Sequence, residues 1–237
     1  MPETRTVESL SDFTQLLADR YYRLERGYWA FRGHSSSAFQ LVPKIGRVSY
    51  ISKTRQKFEQ DIFNMFKRSA VQYLNRIPAN DWDWLALAQH HGLPTRLLDW
   101  SFNPIVALYF AVEERLDDEG VVYALRSPPR VTQKKIDTTS PFSVKKLMRF
   151  LPNITVQRVW VQEGIFTIHA DIESSLLAYL PRGWIIEQII IPAARKEKVR
   201  YELYRQGTHR ASLFPDLDGL AAHLQWQHGV HPDQIFI

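Results

Sequence analysis

Three polar clusters interrupt otherwise apolar stretches of this chain, and chemistry is most naturally sought there. The longest, QHHGLPTRLLDWSFNPIVALYFA from Gln89 to Ala111, sets Gln89, His90, Thr95, Arg96, Asp99, Ser101 and Asn103 among Leu93, Leu97, Leu98 and Trp100. A charge drawn into such surroundings needs a partner. Either Arg96 and Asp99 satisfy each other and the nearby backbone, or the segment lines a pocket in which Arg96, His90 or Gln89 faces a ligand. The second cluster is Phe31-Arg32-Gly33-His34 followed by Ser35, Ser36 and Ser37. An Arg ending a buried strand, beside a Gly that admits another backbone or a ligand, suits a phosphate or ribose through charge-assisted bidentate bonds. The bland alternative is a strand-end Arg in water. The third cluster runs from Gln157 to Thr167. If it stays extended, Arg158, Trp160 and Gln162 point to one face and Gln157, Val159, Val161 and Glu163 to the other. Only one of Gln162 and Glu163 then faces a given cleft.

Other chemistries find little footing. The chain has no G-x-S-x-G, H-E-x-x-H, G-x-x-x-x-G-K-[ST] or G-x-G-x-x-G motif. With no Cys there is no disulfide, thiolate zinc site or cysteine nucleophile. His90 and His91 are adjacent rather than four apart, and His223, His228 and His231 lack a converging helical spacing, so no metal is expected. A His in the last turn of a helix titrates near neutrality, which keeps a His-dependent hydrolase or nuclease using His90 or His91 among the alternatives.

The elements that must position these residues follow from periodicity. Ser9 to Arg23 carries Leu10, Phe13, Leu16, Leu17 and Tyr21 at helical spacing, and Lys53 to Leu74 does the same through Phe58, Ile62, Phe63, Phe66 and Ala70. Between them, Tyr28 to Phe31 reads as a strand ending at Arg32. Asp81 is the expected N-cap of a helix over 82–91 that Gly92 and Pro94 stop. Residues 93–102 read as a half-apolar loop. Asn103-Pro104 then starts a helix to Glu114 that is apolar nearly all round and therefore buried. Strands are expected over 120–126 and 184–191, with one or two more over 155–161 and 164–170, a loop over 127–141, and helices over 195–205 and 217–227. No repeat or linker divides the chain, so the expected fold is a single α+β domain over 1–237, a mixed, mostly antiparallel sheet flanked by helices.

The 237 residues include 30 Lys+Arg and 25 Asp+Glu, a net charge of +5. A chain of this length buries an adequate core without a staple. The modest basic surplus favours a nucleotide or nucleic acid as partner. Charges interrupt the N-terminal stretch where a leader would be apolar, and no run of about 18 apolar residues occurs, so a cytoplasmic protein without membrane contact is expected.

The tripeptide Phe31-Arg32-Gly33, the block from Gln89 to Trp100, Asn103-Pro104 and Ala107 to Ala111 resemble the FRG domain family, found mostly in bacteria and phages. Gln162-x-Gly164-x-Phe166-Thr167 and Leu213-Phe214-Pro215-Asp216-Leu217 look like its remaining blocks, so the resemblance covers about 25–225. More distantly, the chain resembles the ADP-ribosyltransferase fold, with a first-strand Arg or His, a middle motif leading into a buried helix, and a late-strand Glu or Gln. That resemblance implies NAD as co-substrate and ADP-ribose transfer to a nucleic acid or protein, by a toxin or phage-defence factor with an antitoxin as a further partner. The implied catalytic residue is Gln162 or Glu163; His90 is the candidate acid–base of the hydrolase or nuclease alternative. The implied NAD-binding residues are Arg32, Gly33, His34 and Ser35 from the first cluster, Gln89, Thr95, Arg96, Asp99 and Asn103 from the central one, and Arg158. A non-catalytic nucleotide- or nucleic-acid-binding module is the alternative from a different class.

Overall fold

The computed structural model describes residues 3–21, 29–126, 131–153 and 161–229. Strands β1 (Glu3–Thr6), β2 (Trp29–His34), β3 (Leu97–Ser101), β4 (Gly120–Arg126), β5 (Met148–Phe150), β6 (Gly164–Ile168) and β7 (Ile185–Ile191) form one sheet in the order β1-β7-β4-β2-β3-β6-β5. Every neighbouring pair is antiparallel except β1 with β7. Around it lie α1 (Leu10–Arg20), α2 (Lys44–Arg47), α3 (Arg55–Ala70), α4 (Asp81–His90), α5 (Pro104–Val112), α6 (Gln133–Thr138), α7 (Ala193–Arg205), α8 (Arg210–Leu213) and α9 (Leu217–Gln227). This is the α+β single domain with a mostly antiparallel sheet that the periodicities imply.

Helix α5 shows how the sequence builds the core. Asn103 accepts from the Ile105 backbone N–H at 3.0 Å and Pro104 occupies the first turn, where a missing donor costs nothing. Its apolar surface then packs against β2 and β4, joining Phe31, Val122 and Ala124 in one core with α1 and α7. The approach is close: a Cβ on Gly33 would stand 1.9 Å from the Ala107 carbonyl oxygen and 2.7 Å from the Ala111 nitrogen. Gly33 therefore admits a helix backbone. The far end of α5 is held by Lys196 of α7, whose buried ammonium donates to the carbonyls of Ser35 (2.8 Å), Glu114 (2.6 Å) and Arg115 (2.7 Å).

A second core joins α3 and α4 to Leu97, Phe150, Phe166 and Ile168. Phe31 stands opposite Ser101, and Asp99 opposite Phe166, so these residues share one face of the sheet. The α5 layer and the α3–α4 layer thus cover the same face at different places. Between them the floor is β2 and β3. On the opposite face, Ala30, Leu98, Trp100, Tyr123 and Ile165 pack under Leu41 and Leu176.

Several expectations shift. Residues 97–101 form a central strand rather than part of a loop, because Leu98 and Trp100 bury on one face and Leu97 on the other while β2 and β6 supply partners on both sides. Arg32 lies within β2, which extends to His34, instead of ending it. Asn80, not Asp81, caps α4, accepting from the Asp83 N–H at 2.9 Å. The expected loop over 127–141 contains α6, capped by Thr132. Strands β1 and β5 have no periodicity of their own long enough to read; pairing with β7 and β6 makes them. The strand expected over 155–161 lies outside the described residues up to 160.

Candidate functional site

Strands β2 and β3 pair at Phe31 opposite Ser101. Beyond that point Arg32 stands between them, its Nη1 donating to the Asp99 carbonyl at 2.7 Å, so a guanidinium takes the place of a backbone donor. Alternation sends Arg32 to the face opposite Phe31 and Gly33, and its length brings it back between the strands. There a cavity of about 310 Å³, open to solvent, lies between α4 and α5. Its polar lining is Arg32, Gln89, His90, Asp99, Ser101 and Gln162; its apolar lining includes Phe31, Val106, Phe110 and Phe214. Four stretches far apart in sequence, around Arg32, from Gln89 to Phe110, at Gln162 and at Phe214, converge on it.

Electrostatically, Arg32 is short of negative charge. Its side chain is 19% exposed and lies 3.6 Å from Asp99 Oδ2. Burial depresses its affinity for the proton, Asp99 opposes that shift, and the nearby positive charge of Arg47 adds to it. His34 supplies no charge: its Nε2 accepts from Arg32 Nε at 2.9 Å and its Nδ1 faces the Phe39 carbonyl at 3.2 Å. Burial and then Arg32 push its pKa down to about 3, leaving the ring neutral. A largely covered cation flanked by another cation and a neutral imidazole favours an anion beside it.

The acid side of the cavity is held by a short relay. Buried Thr95 donates to Gln89 Oε1 at 2.6 Å, which turns Gln89 Nε2 toward Asp99 Oδ2 at 2.8 Å. Ser101 Oγ donates to the Gln162 carbonyl at 2.6 Å and accepts from the Asn103 N–H at 2.9 Å, joining β3 to the turn before β6. Gln162 Nε2 donates to the Leu213 carbonyl at 3.1 Å. Phe214 sits edge-to-face on Phe110 with centroids 5.9 Å apart, and Arg210 covers its ring at 4.1 Å.

Of the residues singled out in the sequence, Arg32, Gly33, Gln89, His90, Asp99 and Gln162 line this cavity. Thr95 and His34 stand behind it, holding Gln89 and Arg32. Arg96 is elsewhere: its Nη2 meets Glu59 Oε2 at 2.7 Å with both side chains almost fully buried, and its backbone N–H also donates to that carboxylate. Neither the Arg96–Asp99 pair nor an Arg96 facing a ligand is formed. Ser35 offers its carbonyl to Lys196. Asn103 caps α5 and donates to Glu163 Oε1 at 3.3 Å. Glu163 occupies the left-handed region at φ 47°, within a turn and not an extended run, so the strict alternation with Gln162 does not apply. Arg158 lies outside the described residues. The aromatic wall of Phe110 and Phe214 was signalled in the sequence only by the YFA and LFPDL blocks.

Fold and site together define a single-domain α+β protein whose curled sheet carries a half-polar, half-apolar cavity where two helical layers part. Within that class, residues 27–120 match the family model of the FRG domain. The match takes in Arg32 and the 89–111 block, while Gln162 and Phe214 lie beyond it. No curated protein and no solved structure matches the chain.

Proposed function

We propose that the cavity binds NAD, with Arg32 against the diphosphate, and that the protein transfers ADP-ribose from it to a nucleic acid or a protein. The observation that supports this reading is the undercompensated guanidinium of Arg32 on the wall of an open cavity whose other end is aromatic. A volume of about 310 Å³ is at the lower end for a ligand pocket and suits the nicotinamide–ribose half, with the rest of the dinucleotide along the open side. Phe110 and Phe214 offer ring faces and edges to the base. A toxin or defence role belongs with this reading, since draining NAD or modifying nucleic acid arrests a cell.

A second reading, nucleotide binding without catalysis, is favoured by one feature. Gln162, the residue that matches the late-strand position, is an amide: it orients a hydroxyl but offers no negative charge to a sugar becoming positive. Calorimetry with NAD, paired with detection of released nicotinamide, separates the two. Wild-type protein is expected to bind NAD and release nicotinamide, and Arg32→Ala to weaken binding at least tenfold. Full NAD affinity in that variant would remove the diphosphate assignment, and binding without nicotinamide release would leave the second reading.

A further inference from the structure

We infer that Asp99 is the catalytic carboxylate of this cavity, the group that faces the positive charge growing on the ribose. The inference rests on the proposed NAD reaction and assigns the role that an amide at Gln162 leaves vacant. Among the described residues lining the cavity, Asp99 is the carboxylate; Glu163, the other acid near the late-strand position, points to Asn103 Nδ2 instead.

Its placement is what such a group requires. Asp99 belongs to β3, a central strand paired with β6 over its whole length, so its backbone is fixed. Its side chain is 55% exposed and faces the cavity, so a ligand can reach it. The carboxylate is also aimed: Gln89 holds Oδ2, buried Thr95 fixes Gln89, and Arg32 stands 3.6 Å away. An exposed acid serving only solubility has no use for a two-residue relay ending in a buried hydroxyl. Ser101 is two residues along the same face, so a ribose over β3 meets a carboxylate and a hydroxyl in sequence.

In the step proposed, the bond from ribose C1′ to the nicotinamide nitrogen breaks and its electron pair goes to the ring, which leaves as neutral nicotinamide. The sugar becomes oxocarbenium-like, and the Asp99 carboxylate, hydrogen-bonded to a ribose hydroxyl, opposes that charge. An acceptor lone pair then forms the new bond to C1′, and the acceptor's proton passes to water. No oxidant or reductant is needed.

The test uses the full chain with NAD, measuring affinity by calorimetry and nicotinamide release in a single turnover. Asp99→Asn preserves an oxygen for Gln89 and is expected to release nicotinamide at least 100-fold more slowly, with NAD affinity within about threefold of wild type. Asp99→Glu, which keeps the charge, is expected to recover part of the rate. If Asp99 served merely as counter-ion to Arg32, Asp99→Asn would alter affinity and leave the bound-state rate intact; that result overturns the assignment. So does a Glu163→Gln variant that loses the rate while Asp99→Asn keeps it, and so does wild-type protein that binds NAD without cleaving it, although nucleotide binding then stands. Wild-type protein that neither binds nor cleaves NAD overturns both this assignment and the functional reading.

Discussion

At the scale of single residues, Arg32 and Arg96 show how the same side chain takes opposite roles. Both stand in apolar segments and both suit an anion. Arg96 has found one inside the protein: Glu59 meets it with two oxygens, and Phe142 covers the guanidinium at 5.1 Å. Removing one partner of such a pair leaves a charge stranded in the core. Arg96→Ala is therefore expected to lose about 3–5 kcal/mol of unfolding free energy in urea, with much of it restored in an Arg96→Met, Glu59→Leu double variant. Arg32, with its carboxylate neighbour at 3.6 Å and half exposed to solvent, has no equal partner of that kind among the described residues. Its substitution is expected to register in ligand affinity, as set out above.

At the scale of elements, the cavity exists because α5 lies directly on β2. Gly33 decides how close the two come. In Gly33→Ala the new methyl would have to displace the Ala107 carbonyl, so α5 must lift; the expected cost is about 1–3 kcal/mol, or more where the helix cannot shift. Because Val106, Ala107 and Phe110 line the cavity on that helix, the same variant is expected to lower NAD affinity, a coupling read by thermal melting and calorimetry together. Strand β3 acts at the other wall. Its placement between β2 and β6 turns Asp99 and Ser101 toward the cavity and buries the Leu98 and Trp100 side chains in the core of the other face.

At the scale of the whole molecule, the fold keeps two imidazoles neutral. His169 is fully buried between Thr167 and Tyr179, and His34 lies behind Arg32. Burial first, and then the positive charge of Arg32, push both pKa values down to about 3. An unfolded chain binds these protons near pH 6.5. Between pH 6.5 and 3 the unfolded state therefore holds more protons than the folded one, so this stability is complete above pH 6.5 and lost as pH falls. Each ring is expected to remove about 2 kcal/mol between pH 6.5 and 5, and His169→Gln to make the pH dependence of urea unfolding shallower by about one proton.

Much of this was legible in the sequence where the signal is local. Asn103-Pro104 fixes the start of α5, Gly92 stops α4 at φ 83°, and the β-branched run ending at Pro192 marks β7, because caps, left-handed turns and ladder-breaking prolines act on their immediate neighbours. The tie from Phe31-Arg32-Gly33 to the 89–111 block through family likeness was legible too. What the tertiary structure alone decided is which charge meets which. Glu59 lies 37 residues from Arg96, and nothing in the spacing names it. The strand at 97–101 exists because β2 and β6 lie on either side of it, and Asp99 reaches the cavity because that pairing sets its face. Helical caps depend on a few adjacent residues; ion pairs, strand order and cavities depend on where distant chain returns, and only the packed molecule fixes that.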